Sequence, residues 1–381
     1  MKTGLFNSPE NLEYHASCAD GLDEFLNEEA LSFRLKVHAK NRGGIFFTGK
    51  KENLKNFFLS TRFSSRVSFS IKKFKVRDAD DLYAQAVELP WEKFFSEGMR
   101  TFKIDSYAKD ALTNSRYAMY RLKDAIKDRC IDNGIDTGAD TENPDYTFLL
   151  RSSGDYANIQ LSLSGLPLNK RGYRVRTVEA PLRENIAQAL LFFSGWKEKD
   201  ILIDPMCGSG TILIEAALII KKQGKINTNL LKNSPVFSDL FGEIKDSDHS
   251  SSGRIQLFGS DIDPKAVEIA RENAEKAGVG DMIEFSVSDF FQLERRNDWG
   301  SGFIVTNPPY GERLSDKTSV KELFFQMGNR LKKNFANFSF SLICGDKSLL
   351  GHLKLKADRD RNIAIAGMKG KLCTYTINEK I

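Results

Sequence analysis

The chain has 381 residues, of which 41% are hydrophobic and 28% are charged, a balance typical of a globular protein with a substantial core. No apolar run approaches the roughly 20 residues of a membrane helix, the start of the chain carries no secretory signal, and the scattered cysteines and histidines exclude a zinc cluster or a disulfide framework, so we expect a metal-free protein in the reducing cytoplasm. The net charge of +5 is too small to indicate nucleic-acid binding by itself.

The first half of the chain is expected to form compact α/β or α+β units of short elements. Alternation in residues 66–71 predicts a strand with one buried and one solvent-exposed face, and the Gly- and Asp-rich segment 134–144 predicts a loop. In chain order, the remaining patterns predict a helix at 21–31, strands at 33–37 and 45–47, helices at 52–59 and 79–89, a strand at 100–104, a helix at 115–131 and strands at 147–151 and 157–163.

In the second half, buried-type strands are each followed by a helix, which predicts a doubly wound parallel sheet of the Rossmann-like α/β class. An insertion at 223–254 interrupts this pattern, and its end, 245–253, is poor in apolar residues and expected to be mobile. The predicted strands are 201–204, 255–260, 282–287, 302–306 and 339–344, the helices are 184–194, 211–222, 265–277 and 320–333, and a terminal hairpin is expected from 362–366 and 372–377.

A glycine-rich turn joins the 201–204 strand to the next helix. Such a turn brings backbone amides close to a ligand at the positive end of a helix. An ordinary tight turn has the same composition, and a dinucleotide site would have a third glycine where Leu213 stands. The turn consists of Asp204, Pro205, Met206, Cys207, Gly208, Ser209, Gly210 and Thr211.

Acidic residues also end the next two strands. Asp261, followed by Ile262, is placed to accept hydrogen bonds from ribose hydroxyls, and Asp289 can accept the amino group of an adenine on which Phe290 stacks. Each aspartate alone is more often a helix cap or a turn former. Together with Asp204, however, three acids at successive strand ends predict one nucleotide-type cofactor site.

The 302–306 strand ends in Asn307-Pro308-Pro309-Tyr310. The lone pair of an exocyclic base amine is delocalised into the ring, so its methylation depends on positioning. The side-chain oxygen of Asn307 and the carbonyl of Pro308 can accept the two amine hydrogens, the two prolines make the loop rigid, and Tyr310 can stack on a flipped base. A proline turn that merely closes a strand is the alternative interpretation.

These motifs resemble a known family. Segments 204–211 and 307–310 resemble the first and fourth motifs of class I amino-methyltransferases, and segments 163–174 and 179–184 are similar to the bacterial large-subunit rRNA guanine-N2 methyltransferases, which carry an RNA-binding THUMP domain. Segments 18–23 and 122–126 extend the resemblance into the first half. It implies a ferredoxin-like plus THUMP region at 1–164 and a methyltransferase domain at 165–381.

The resemblance also implies S-adenosyl-L-methionine as the cofactor and RNA as the partner. Residues 223–253 replace a Pro-Gly and basic-aromatic stretch that relatives carry, which leaves the exact RNA target open. The predicted cofactor site comprises Pro181, Leu182, Asp204, Pro205, Cys207, Gly208, Ser209, Gly210, Thr211, Asp261, Ile262, Asp289, Phe290 and Asn307, and the predicted catalytic residues are Asn307, Pro308, Pro309 and Tyr310.

Two basic stretches are candidate RNA contacts. The first, ahead of the catalytic domain, has four basic residues, one aromatic and no acid, which suits phosphate contacts with base stacking. The second, with Arg66, Lys72, Lys73, Lys75 and Arg77, is equally well explained as a solvated face. The first stretch contributes Lys170, Arg171, Tyr173, Arg174 and Arg176, and Arg313 is a further predicted contact.

The leading hypothesis is methyl transfer to N2 of a guanosine in 23S rRNA or in a precursor particle. The same motif also suits guanine-N2 of a tRNA or an adenine-N6 amine. An RNA-binding assembly factor without catalysis is a rival from another class. A nicotinamide dehydrogenase is disfavoured by Leu213 and by the proline-rich end of the fourth strand.

Overall fold

The computed structural model describes residues 8–95, 100–176, 181–221, 225–244, 256–309, 317–365 and 368–378, with side chains of the helix at 317–334 described from residue 320. Two β-sheets organise the chain, an eight-stranded sheet from the first half and a seven-stranded sheet from the second. Of the helices in this part of the chain, none combines the length and the hydropathy that a membrane span requires.

The eight-stranded sheet has the order β2-β3-β1-β4-β8-β7-β5-β6. It is antiparallel except where β5 lies parallel to β7 and β6. Its strands are β1 (Tyr14–Ser17), β2 (Lys36–Asn41), β3 (Gly44–Thr48), β4 (Arg66–Lys75), β5 (Thr101–Tyr107), β6 (Gly138–Ala139), β7 (Tyr146–Ser153) and β8 (Tyr156–Ser162), and its helices are α1 (Asp23–Ser32), α2 (Lys51–Ser60), α3 (Ala79–Ala86), α4 (Glu92–Phe95) and α5 (Ser115–Asp132).

An aromatic core lies between one face of this sheet and these helices. Tyr14 on β1 packs against Phe58 of α2 with ring centroids 5.1 Å apart, and Trp91, at the start of α4, lies 5.2 Å from Phe148 on β7. Large rings of this kind dominate the free energy that burial contributes to a core. The other face of the sheet is polar, and its outer part is exposed, as at Tyr107 of β5 and Tyr156 of β8.

The seven-stranded sheet has the order β11-β10-β9-β12-β13-β15-β14, in which β15 alone runs antiparallel to its neighbours. Because the chain moves outward from β9 in both directions, β9 and β12 form a topological switch point. The strands are β9 (Leu202–Asp204), β10 (Leu257–Asp261), β11 (Ile283–Val287), β12 (Gly302–Thr306), β13 (Phe338–Cys344), β14 (Arg359–Ile365) and β15 (Met368–Thr376), and the helices are α6 (Glu184–Ser194), α7 (Thr211–Lys221), α8 (Thr228–Lys232), α9 (Pro235–Phe241), α10 (Pro264–Lys276) and α11 (Lys317–Asn334).

The structure corrects three features of the predicted first half. The predicted strand at 33–37 begins instead at Lys36, because Arg34 adopts a left-handed turn with φ of 59°. The predicted exposed face of 66–71 is wrong for Arg66 and Ser68, which are buried, since β4 lies between β1 and β8 in the middle of the sheet. Strand β1, which sequence reasoning missed, pairs with both β3 and β4.

The part of the insertion that the structure describes is mostly helical. Residues 225–244 contain α8 and α9, which were not predicted, and α9 buries Phe237 and Phe241 in the core shared with the first half. Its tail at 245–253, predicted to be mobile, lies outside the described residues.

A buried polar cluster connects the two halves of the chain. Arg171 Nε lies 3.6 Å from the carboxylate of Glu215 on α7, and both side chains are almost fully buried. Tyr173 donates a hydrogen bond to Glu215 Oε1 (3.0 Å), and Gln188 of α6 donates to Oε2 (2.8 Å). Arg171 also donates to Asn227, whose amide nitrogen reaches carbonyls at the end of the first-half helix α2.

Glu215→Ala is expected to lower the free energy of unfolding by about 3–5 kcal/mol, because it leaves the buried Arg171 charge without its carboxylate. Urea denaturation measures this change. The matched control is Glu268→Ala, which removes an exposed partner of Arg176 and should cost at most about 1 kcal/mol. Equal effects of the two substitutions would contradict a stabilising role for the cluster.

Candidate active site

A cleft of about 710 Å³ opens at the carboxyl ends of the central strands of the seven-stranded sheet. In open α/β sheets, ligands bind at this edge, beside the switch point, and the volume lies within the range of small-molecule sites. The cleft is lined by Pro181, Leu182, Asp204, Pro205, Met206, Cys207, Gly208, Ser209, Thr211, Ile212, Asp261, Ile262, Asp263, Ala266, Asp289, Phe290, Phe291, Asn307, Pro309, Glu322, Leu323 and Gln326.

The glycine-rich turn after β9 forms the floor of the cleft. Gly208 and Gly210 have φ of 52° and 80°, a left-handed conformation that favours glycine. Gly210 itself does not line the cleft; a Cβ there would lie 3.0 Å from Ala270 Cβ and 3.2 Å from Phe285 Cζ. Gly210 was predicted to belong to the cofactor site. In the structure it has a packing role, because its lack of a side chain lets α7 approach the neighbouring strands.

Asp204 is buried at the centre of this arrangement. Its Oδ1 accepts hydrogen bonds from the Thr306 hydroxyl (2.8 Å) and from the backbone N–H of Met206 (3.3 Å). Burial, with a smaller contribution from Asp261, raises the pKa of the Asp204 carboxyl to about 7 against the opposing effect of the two hydrogen bonds. The group can thus change charge near neutral pH.

The other two aspartates shape their turns and line the cleft at the same time. Asp261 Oδ2 accepts the N–H of Gly208 at 2.9 Å, and Oδ1 accepts the N–H of Asp263 at 3.1 Å. Asp289 Oδ1 accepts the N–H of Phe291 at 2.9 Å. Asp261 and Asp289 therefore each stabilise a turn and also line the cleft.

Asn307, at the end of β12, carries the most informative atom in the cleft. Its Oδ1 is buried, and no residue in the described part of the chain offers it a hydrogen bond. Buried polar atoms are almost always paired, so this oxygen is suited to accept a hydrogen bond from a ligand. Pro309 lines the cleft and Pro308 is buried beside it, whereas Tyr310 and Arg313 lie outside the described residues.

Sequence reasoning missed one complete wall of the cleft. Three of its residues, Glu322, Leu323 and Gln326, come from α11, which the sequence shows only as an amphipathic helix. No motif marks them, because their place depends on how α11 packs. The other cleft residues that were not predicted lie close in sequence to predicted ones; they are Met206, Ile212, Asp263, Ala266 and Phe291. The described residues contain no group of three or more His, Cys, Asp or Glu side chains that could hold a metal ion.

The structure corrects the predicted RNA contacts at 170–176. Tyr173 is 3% exposed and Arg171 is 9% exposed, and both belong to the buried polar cluster, so neither is available to RNA. Arg176 is exposed but pairs with Glu268 and Glu272 of α10. Of the predicted contacts at 170–176, Lys170 is exposed and has no ion pair with a described residue.

Arg174, also predicted to contact RNA, instead braces the cleft. Its Nε donates to the Glu184 carboxylate at 2.7 Å. Its terminal nitrogens donate to the Leu182 carbonyl, to Ser209 Oγ (3.4 Å) and to Thr211 Oγ1 (3.1 Å). One guanidinium therefore connects the 182 loop to the glycine-rich turn, and three of the residues that it holds line the cleft.

The strand order, with its antiparallel β15, and the cleft beside the glycine-rich turn define a class I methyltransferase fold. Residues 171–373 match the UPF0020 family, described as an RMKL-like methyltransferase domain, and residues 76–162 match the THUMP domain. The chain belongs to this RMKL-like methyltransferase-domain family, which confirms the predicted family and fold class. The predicted boundary at 164/165 falls between the two matched segments and stays a prediction.

Similar proteins agree with this assignment. The chain is 34% identical over 378 residues to a ribosomal RNA large subunit methyltransferase K/L of Shewanella frigidimarina, covering 96% of this chain and 53% of that protein. The chain thus spans about half the length of the curated relatives it matches. Among solved structures, SMU.472 complexed with SAH has a TM-score of 0.80 and 25% identity, with 97% and 99% of the two chains covered. A structure titled as a predicted N6-adenine-specific DNA methylase from Listeria monocytogenes has a TM-score of 0.77 and 27% identity, with 96% of each chain covered.

Arg174→Ala is expected to weaken binding of S-adenosylhomocysteine about tenfold, because the turn and the 182 loop lose their common donor and Glu184 loses its counter-charge. Calorimetry well below the unfolding temperature measures the dissociation constant. Arg174→Lys, which keeps the charge, should recover part of the affinity, and Arg176→Ala serves as the control. A lower unfolding temperature with an unchanged dissociation constant would refute the positioning role.

Proposed function

We propose that this protein transfers a methyl group from S-adenosyl-L-methionine to the exocyclic N2 amine of a guanosine in 23S rRNA. The observation that carries the proposal is the buried Oδ1 of Asn307, which has no hydrogen-bond partner among the described residues, in a cleft that also contains the three strand-end aspartates. The family of methyltransferase domains to which the chain belongs supports the reaction type. The THUMP match and the name of the rRNA methyltransferase relatives support the substrate.

The residues of the cleft fit this methyl donor. Asp261 lines the cleft and can accept hydrogen bonds from ribose hydroxyls, and Ile262, although a large apolar residue, is 68% exposed beside it and can pack on an adenine. Asp289 and Phe290 can contact the adenine edge, and the glycine-rich turn offers a close backbone approach. When bound, the donor would supply an activated methyl group on a positively charged sulfur.

Asn307 and its prolines would position the acceptor. Methyl transfer to the amine would form one C–N bond and break the C–S bond of the donor, which leaves as S-adenosylhomocysteine, and the nitrogen would release one proton to water. Asn307 Oδ1 can accept an amine hydrogen and so orient the nitrogen lone pair, and Pro308 can contribute its carbonyl as the second acceptor. Because the prolines restrict φ, the loop loses little freedom when a base binds, and positioning of this kind can supply much of a rate enhancement.

The direct test incubates purified protein with 23S rRNA and methyl-labelled donor, followed by nucleoside analysis. N2-methylguanosine is the expected product. Label in N6-methyladenosine would indicate that the substrate is an adenine amine. Label only when tRNA replaces rRNA would indicate that the substrate is a tRNA. No labelled nucleoside at all, under conditions where calorimetry shows that the donor binds, would refute it.

Asn307→Ala is expected to lower kcat about 100-fold or more while changing KM for RNA little, because the acceptor amine loses its orienting oxygen. Steady-state methyl transfer measures both constants. Asn307→Asp keeps a side-chain oxygen and should lose less activity than the alanine variant. Asn233→Ala, an exposed substitution of the same type, should leave both constants unchanged; an unchanged kcat in Asn307→Ala would contradict the assigned role.

Asp204 predicts a pH dependence of donor binding. Its carboxyl, with a pKa raised to about 7, is largely protonated below that pH, and the charged form attracts the cationic donor. Affinity for S-adenosylmethionine should therefore rise several-fold between pH 6 and pH 8, because below pH 7 the proton must first leave. Asp204→Asn, which keeps Oδ1 as an acceptor, should flatten the profile in calorimetry; an equally steep profile in this variant would assign the effect to another group.

A further inference from the structure

The polar face of the eight-stranded sheet, opposite its helices, carries an unusual group of charges. We call Arg66, Lys103, Asp105, Tyr107 and Arg151 the open-face cluster. Tyr107 on β5 is the cross-strand partner of Arg151 on β7, and Arg66 reaches across from β4 to Asp105. All five side chains therefore lie together on the face that the aromatic core leaves uncovered.

Positive charge exceeds negative charge in this cluster. Asp105 is shared between Arg66 Nη2 at 3.0 Å and Lys103 Nζ at 3.2 Å, so the cluster contains one carboxylate and, with Arg151, three cations. His15 lies on the same face, but burial and Arg151 lower its pKa to about 3, so it is uncharged at neutral pH. The cluster thus keeps a surplus of two positive charges to which a ligand anion can bind.

Two guanidinium nitrogens in the cluster have no partner. Arg66 Nη1 and Arg151 Nε are both buried, and neither donates a hydrogen bond to any residue in the described ranges. Burial of an unpaired donor costs free energy, and the cost is larger for a charged group. An anion bound to the cluster would offset part of this cost by compensating the charge of the two guanidinium groups.

Exposed aromatic rings surround the cluster. Tyr107 is 54% exposed, with the Arg151 guanidinium 5.0 Å from its ring centroid. On the adjoining strands, Tyr156 is 40% exposed and lies 5.2 Å from Lys73 Nζ and 5.5 Å from Lys75 Nζ. Alternating cations and exposed rings are the arrangement with which proteins bind single-stranded nucleic acid, since bases stack on the rings while cations contact phosphates.

We propose that the open-face cluster binds a backbone phosphate of the RNA substrate, with Tyr107 and Tyr156 as stacking platforms for unpaired bases. The choice of RNA rests on the proposed function. The second basic stretch of the sequence therefore lies only partly on this face. Lys73 and Lys75 lie on this face, where Lys75 also has an exposed partner in Asp155 at 3.6 Å. Lys72 is instead the cross-strand partner of Ile159, which faces the core, and Arg77 pairs with Asp81 beyond the strand.

Fluorescence anisotropy with a labelled single-stranded 20-nucleotide RNA, supported by filter binding of 23S rRNA, tests the proposal. Arg151→Gln should weaken binding about tenfold and reduce the slope of log affinity against log salt by about one, as expected for the loss of one phosphate contact. The control is Lys199→Gln, which removes the same charge from an exposed loop before β9 and should change neither quantity.

Tyr107→Ala tests the stacking platform at an exposed position where folding is not at risk. It should weaken binding about fivefold or more, Tyr107→Phe should restore it, and a single-stranded competitor should displace the probe better than a duplex of the same length. Both variants should retain S-adenosylhomocysteine binding, which shows that they are folded.

Two results would overturn the assignment: affinity and salt slope in Arg151→Gln equal to those of Lys199→Gln, or equal binding by Tyr107→Ala and the native chain. These failures are distinct from failure of the proposed function. If RNA binding depends on Arg151 but no methyl group is ever transferred, the surface stands and the reaction is wrong. If methyl transfer proceeds while Arg151→Gln binds RNA normally, the reaction stands and the surface is wrong.

Discussion

The site depends on how closely helix α7 can approach the sheet, and two glycines set that distance. A Cβ at Gly259 of β10 would lie 2.6 Å from Leu213 of α7 and 2.7 Å from Phe285, and one at Gly210 would press on Ala270. Contacts that short are not tolerated in a packed core. At this spacing the Gly208 N–H donates to the Asp261 carboxylate at 2.9 Å, so the turn after β9 and the acid at the end of β10 line the cleft together.

The short segment between the two halves holds this wall from behind. Arg171 pairs with Glu215, one turn into α7, and reaches Asn227, which bonds to the end of α2 in the first half. Arg174, three residues later, donates to the turn and to the 182 loop. The same few residues therefore connect the first half to α7 and the cleft to its loop. Since a buried ion pair is costly unless every partner is present, this arrangement favours one relative orientation of the two halves beside the active site.

The sequence predicts the second half well because its signals are local. Buried strands, alternating helices and the residues at each strand end are set by short-range patterns, and all of the described strand ends predicted for the cleft converge there. The first half is harder, because burial there depends on neighbours in the sheet. Arg66 follows an alternating pattern that reads as solvent-exposed, yet β4 lies between β1 and β8 and the side chain is buried. The α11 wall of the cleft has no local signal, since Glu322 and Gln326 become cleft residues only through tertiary packing.

The arginines show why a basic stretch alone is a poor guide to RNA contacts. Arg171 and Arg174 stand in a strongly basic segment, but each meets a carboxylate that is distant in sequence or across a loop, Glu215 and Glu184. Their charge is thereby used inside the fold. Arg151, with no basic neighbour in sequence, has no ion pair among the described residues and lies against the exposed ring of Tyr107. What determines whether a cation is free for a ligand is the balance of charge around its folded position, and that balance favours the open face of the sheet over the segment at 170–176.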